Sequence, residues 1–180
     1  MSARKVLAMA AAAVTLVMGP ALSGSATAEP AATQSAYTRQ ALEAGLTGAQ
    51  ASELQRQVDA YLATHPDARQ VSANRLATEG GSVTLPAPGQ SQVRDLASPE
   101  AAVACAHGHL CIVDGRGRHY DYYRCGRYSF DGIGDGTFNN NQTSGTVARF
   151  YNSDGSLRWT NRAKDTGTAS WTPVFYIRPC

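Results

Sequence analysis

The hydrophobic residues of this chain change their spacing partway along it. Ala51, Leu54, Val58, Tyr61 and Leu62 recur at helical intervals, with Gln55, Arg56, Gln57 and Asp59 on the polar side, which predicts an amphipathic helix with one narrow apolar stripe. Thr47 and Gln50 have capping-box spacing, Leu46 stands at the staple position, and His65-Pro66 closes the helix. A shorter helix is expected over residues 35–44, stopped by Gly45, after an Ala-, Pro- and Thr-rich stretch 29–35 that reads as disordered. Downstream, Gly80-Gly81 separates segments 70–78 and 82–86 as a hairpin turn would, with Val83 and Leu85 pointing inward. Pro, Gly, Ser, Gln and Ala then dominate, predicting a linker over 87–104 with at most one helical turn after Ser98-Pro99.

Beyond Cys105 the helical period disappears, glycine and tyrosine rise, and short apolar runs alternate with turn residues, which is an all-β signature. Strands are expected at 110–113, 119–124, 147–151, 156–161 and 174–178. Leu157 and Trp159 should share a face against Arg158 and Thr160, and Phe175 and Ile177 should oppose Val174 and Tyr176. Ser153-Asp154-Gly155-Ser156 supplies a hairpin turn between two of these strands.

Composition adds a compartment. Arg4 and Lys5 precede an apolar run from Val6 to Met18, and Ala26-Thr27-Ala28 follows, so 1–28 reads as a signal peptide and the mature chain as secreted, extracellular and without a membrane span. The formal charge of +2 is carried by that leader, which leaves the remainder near neutral and gives no footprint for nucleic acid. Cys105, Cys111, Cys125 and Cys180 all lie in the second half, and an even count in an exported chain implies disulfides. Three connectivities are open. Cys105 with Cys111 and Cys125 with Cys180 is preferred, the first closing a local loop and the second stapling the C-terminal strand.

Candidate chemistry is sparse. Cys105, His107, His109 and Cys111 alternate, which would put four soft ligands on one strand face, but tetrahedral zinc favours wrapping spacings and export favours oxidised thiols. Asn139-Asn140-Asn141-Gln142-Thr143-Ser144 fits the pattern N/D-N/D-x-x-S/T-S, in which oxygens gather around calcium. Asn139, Asn140, Thr143 and Ser144 are therefore candidate ligands, and calcium is the one cofactor suggested. Arg116, Arg118, His119, Tyr120, Tyr122, Tyr123, Arg124 and Arg127 form the densest cationic and aromatic run and are candidate partner-binding residues. No histidine sits in a catalytic motif. Asp131 and Asp135 pair only across Gly132, Gly134 and Gly136, read as too mobile to hold an acid and a base, so no enzyme is expected.

The C-x5-C entry, the Gly- and Tyr-rich strands, the NNNQTS sextet and the closing Tyr176-Ile177-Arg178-Pro179-Cys180 resemble the secreted βγ-crystallin-like proteins of actinomycetes, many of them grouped with the streptomycete metalloproteinase-inhibitor family. The resemblance covers 105–180. It implies a Greek-key sandwich and a proteinase-inhibitor-like function, with an extracellular protease as partner. The expected fold is thus α+β overall: a helix-plus-hairpin unit over 29–86, a linker over 87–104, and an all-β βγ-crystallin-like domain over 105–180. A monomer is expected, binding through a rigid loop near Arg116 or 132–136. The alternative is a calcium-binding or envelope-associated structural module without inhibitory activity.

Overall fold

Ala51, Leu54, Val58 and Tyr61 are buried along one side of helix α2 (Gly48–Thr64), as their spacing requires. Its N-terminus carries the full capping box: the Thr47 hydroxyl accepts from the Gln50 amide at 3.3 Å, and the Gln50 side chain accepts from the Thr47 amide at 2.9 Å. The computed structural model describes residues 31–90, 92–98 and 103–180; the expected leader and the turn after Pro99 lie outside them. Helix α1 (Ala31–Glu43) starts earlier than expected, taking in most of the stretch read as disordered. Ala31 and Ala32 explain the extension, since alanine has the lowest cost of any residue in a helix. Gly45 closes the turn at φ +90°, a conformation that costs glycine little.

The remaining described elements are antiparallel strands: β1 (Arg69–Gln70), β2 (Arg75–Ala77), β3 (Gly81–Thr84), β4 (Leu110–Val113), β5 (His119–Tyr122), β6 (Tyr128–Ser129), β7 (Asp135–Asn140), β8 (Val147–Tyr151), β9 (Leu157–Arg162), β10 (Asp165–Ser170) and β11 (Tyr176–Arg178). They form a seven-stranded sheet, β1-β2-β3-β5-β4-β7-β10, and a four-stranded sheet, β6-β11-β8-β9. The Gly80-Gly81 and Asp154-Gly155 hairpins join β2 to β3 and β8 to β9. β7 and β10 were not foreseen.

One row of the large sheet shows how its core face is made. Leu76, Val83, Tyr120, Ile112 and Phe138 are successive cross-strand partners from β2 to β7. The first four are essentially inaccessible and Phe138 is partly buried against the same core. The neighbouring row on the other face, Arg75, Thr84, His119, Val113 and Thr137, is mostly polar. The apolar face belongs to one core cluster that includes α2 and the small sheet. At its centre Tyr120, Phe130, Trp171, Phe150 and Trp159 contact in sequence, the Phe150 and Trp159 rings stacking at 3.8 Å.

The pairing of β3 with β5 carries hydrogen bonds from the helix-hairpin segment directly into the cysteine-bearing half. Along its described residues, the segment read as a linker is also strapped down. Buried Asn74 donates to the carbonyls of Leu85 and Arg94 and accepts from the Leu96 amide, while Ala87 and Leu96 join the core. The disulfides join Cys105 to Cys111 and Cys125 to Cys180, the preferred connectivity, with Cα separations of 5.7 and 5.5 Å. Loop-closure entropy assigns about 4 kcal/mol to the longer bridge and about 2 kcal/mol to the shorter.

Two expected strand faces change. Leu157 is 54% exposed while Trp159 packs inward, because a register shift between Phe150 and Tyr151 interrupts the alternation. Phe175 is 46% exposed although Ile177 is fully buried. Regular β11 starts only at Tyr176, after a turn in which the Val174 amide bonds the Trp171 carbonyl, so the face expected of Phe175 is taken by Val174.

Candidate functional site

Asp114 follows β4 directly and its carboxylate is buried. One oxygen accepts from the backbone amides of Arg116 and Arg118 at 3.0 and 2.9 Å. The other accepts from the Arg116 Nε at 3.1 Å and from the Ile133 amide at 3.3 Å. A single side chain therefore shapes the β4–β5 turn and ties it to the loop before β7. Gly115 completes the junction: a Cβ there would lie 2.9 Å from both the Gly134 Cα and the Ile133 carbonyl, so only glycine allows the approach.

The second loop is held from both sides. The Ile133 carbonyl accepts from the Gly115 amide at 2.7 Å, and the Gly134 amide donates to the Thr172 hydroxyl at 2.9 Å. The Gly134 carbonyl accepts from the Trp171 amide at 2.8 Å. Asp131 adds a charged clasp, receiving Arg118 at 2.6 Å, the Tyr120 hydroxyl at 2.9 Å and Arg116 at 3.5 Å. The mobility expected of Gly132, Gly134 and Gly136 is thus not what the bonding produces: two of these glycines lie in a pinned loop and Gly136 lies in β7. Between the anchors Ile133 projects with 44% of its surface exposed. The arrangement is a fixed backbone presenting one apolar side chain, flanked by the half-exposed Arg116.

The eight cationic and aromatic candidates do not form one surface, because β5 sends successive side chains to opposite faces. Tyr120 and Tyr122 are buried on the core side and His119 on the polar side. Burial raises the phenol pKa of both tyrosines and lowers that of the His119 imidazole. Arg116 and Arg118 belong to the Asp114 and Asp131 clasp. Tyr123 is exposed beside Arg124, at 5.6 Å from the guanidinium to the ring, and Arg127 lies 4.8 and 4.5 Å from the Tyr151 and Tyr176 rings. Asp114 and Ile133, the residues that build and display the loop, were not singled out from sequence. Their available signal was the spacing Asp114-Gly115-x-Gly117, a turn with an acidic first residue.

The other candidates disperse similarly. Cys105 and Cys111 are bonded to each other, His107 is exposed, and His109 Nδ1 meets Asp121 at 2.6 Å. Among the described residues no His, Cys, Asp and Glu group has a metal-binding arrangement. Of the calcium candidates, Asn139 and Asn140 lie in β7 and Thr143 and Ser144 in the exposed turn after it. The buried Asn140 carboxamide is already committed, donating to Asn161 Oδ1 at 2.8 Å and accepting from Gln142 Nε2 at 3.0 Å. Gln142 in turn donates to the Pro179 carbonyl at 2.7 Å, so this network fastens the C-terminus. His119 and Asp121 occupy the face of β5 opposite Tyr120, to which Asp131 is bonded.

Fold and site together define a disulfide-stapled, mostly antiparallel β protein, with two sheets and two short helices among its described residues, bearing a rigid, apolar-tipped loop. No protein-family model, curated protein or solved structure matches the chain. The disulfides are consistent with an extracellular protein, and among the described residues no helix is long and apolar enough to cross a membrane.

Proposed function

We propose that this is a secreted binding protein of the proteinase-inhibitor type, which engages an extracellular protease with the loop around Ile133 and transforms no substrate. The observation that carries the reading is the combination at one residue of an exposed apolar side chain and a backbone fixed on both sides by hydrogen bonds. A loop already held in one conformation loses little entropy on docking, and that is what a tight, non-productive occupant of a protease cleft requires. The similarity of 105–180 to βγ-crystallin-like metalloproteinase inhibitors supports the same conclusion and suggests a Greek-key path for the strands. Residual-activity assays against secreted metalloproteases and serine proteases test it. Inhibition is expected at micromolar excess, with Ile133→Asp weakening it at least about tenfold while leaving the melting midpoint unchanged. Absence of inhibition across both protease classes discards the proposal.

A further inference from the structure

The four-stranded sheet turns one side to the core, where Ala148, Phe150 and Ile177 are fully buried. The two-residue period then sends Arg149, Tyr151, Tyr176 and Arg178 outward, and the register agrees, with Arg178 opposite Arg149 and Tyr176 opposite Tyr151. On the other flank of β8, Arg162 stands opposite Val147 and Leu157 opposite Tyr151, while Arg158 occupies the register shift between Leu157 and Trp159. Arg127 reaches the same face from the residues before β6, its guanidinium over the Tyr151 and Tyr176 rings.

Charge on this face has one sign. β6, β8, β9 and β11 hold four arginines and neither aspartate nor glutamate. Arg149 donates to the Val147 carbonyl, Arg158 to the Asn152 carboxamide, Arg162 to the Gly145 carbonyl and Arg178 to the Cys180 main-chain oxygen. None of these partners is a side-chain carboxylate. Around the seven-stranded sheet the arrangement is the reverse, since Arg75, Arg116 and Arg118 each meet an aspartate. The acids nearest in sequence are engaged locally, Asp154 by Ser156 and Asp165 by Asn161 and the Thr166 amide. Like charges directly opposite across two strands, as at Arg149 and Arg178, repel, and an external anion turns that cost into attraction.

Two apolar side chains lie beside the arginines. Leu157 is 54% exposed and pairs with Tyr151; Phe175 is 46% exposed and its amide donates to the Tyr151 carbonyl. A soluble polyanion is held by charge and would leave both in water. A membrane surface uses both kinds of residue, placing guanidinium forks at headgroup phosphates and apolar side chains at the acyl boundary. We infer that the outer face of the four-stranded sheet docks on an anionic phospholipid membrane, through these five arginines together with Leu157 and Phe175. The inference is independent of protease inhibition, because none of these residues belongs to the Ile133 loop or its clasp.

Co-sedimentation of the intact chain with phosphatidylglycerol–phosphatidylcholine vesicles, and with vesicles of phosphatidylcholine alone, tests it. Partitioning is expected to be at least about tenfold stronger on the anionic vesicles and to fall away as salt approaches about 1 M. One basic residue near such a surface is worth about fivefold, so Arg158→Gln combined with Arg162→Gln, both exposed, should weaken binding about 25-fold. Leu157→Ser should weaken it severalfold, and Ile133→Asp should bind as the parent does. The lipid and salt dependence of the parent decides the matter on its own if a variant fails to fold. No preference for anionic vesicles, or arginine variants that partition like the parent, overturns the inference. So does normal partitioning of Leu157→Ser with displacement of the parent by free polyphosphate, which would assign the face to a soluble polyanion.

Discussion

Replacing Asp114 by alanine removes the shared acceptor of the two loops. Three backbone amides, those of Arg116, Arg118 and Ile133, lose their partner, and the Arg116 guanidinium keeps its contacts with the Asp131 carbonyl and carboxylate. Water can reach part of this region, so each amide costs about 0.5–1.5 kcal/mol rather than a full desolvation penalty. Adding the broken, half-buried ion pair gives a total of about 3–5 kcal/mol. Asp114→Asn keeps one carbonyl oxygen and should cost about half as much. Urea unfolding with linear extrapolation measures the loss, and amide hydrogen exchange locates it. The expected signature is faster exchange at Ile133 and Gly134 under conditions where β4 and β8 stay protected, accompanied by weaker protease inhibition. A loss below about 1 kcal/mol for the alanine variant, or unchanged protection at Ile133, would refute the assignment of Asp114 as the organiser of the site.

Burial holds the His119 imidazole below the ordinary histidine range, with Arg75 lowering it further and Asp121 opposing. Because the unfolded chain then takes up its proton first, stability is full above about pH 6.5 and falls as the solution is acidified toward the lower folded value, by at most about 1.4 kcal/mol per pH unit. Melting midpoints from about pH 7 to about pH 5 should drop more steeply for the parent than for His119→Gln; parallel curves would count against a buried neutral imidazole. Asn140→Ala should cost about 2–3 kcal/mol by taking one hydrogen-bond partner each from Asn161 Oδ1 and Gln142 Nε2, equally in calcium and in chelator. A calcium-dependent rise in the parent midpoint that disappears in the variant would instead make the sextet a metal site.

What could be read from sequence was local. α2 announced itself through a cap and a stripe, and β4 and β8 matched their expected bounds because apolar residues alternate or cluster between turn signals. β7 and β10 were hidden because each carries scarcely any apolar pattern: Phe138 is the only large hydrophobic residue in the first, and the second is aspartate, threonine, glycine, alanine and serine at a sheet edge. Their strand character comes from the partners they pair with. The strap formed by the described residues 87–90 and 92–98 looked like a linker because a buried asparagine, not a hydrophobic run, fastens it. The site suffered from the same gap. Glycines near Asp131 suggested freedom, and only the three-dimensional reach of Asp114 shows how that freedom is removed. The period-two rule applied to β5 would already have divided the Arg/Tyr run between two faces.

The pairing of β3 with β5 has a further consequence for the fate of the chain after a backbone cut. Both covalent bridges lie within 105–180, so among the described residues only non-covalent contacts would retain the N-terminal segment if the backbone were cut between the two halves. Loss of that piece would uncover the full length of β5 as an unpaired edge, and with it the flank of Tyr120 and Tyr122. Such an edge is a template for adding a foreign strand. The N-terminal segment therefore acts as an intramolecular guard strand, and a nick that released it would convert a self-contained molecule into one primed to recruit another chain.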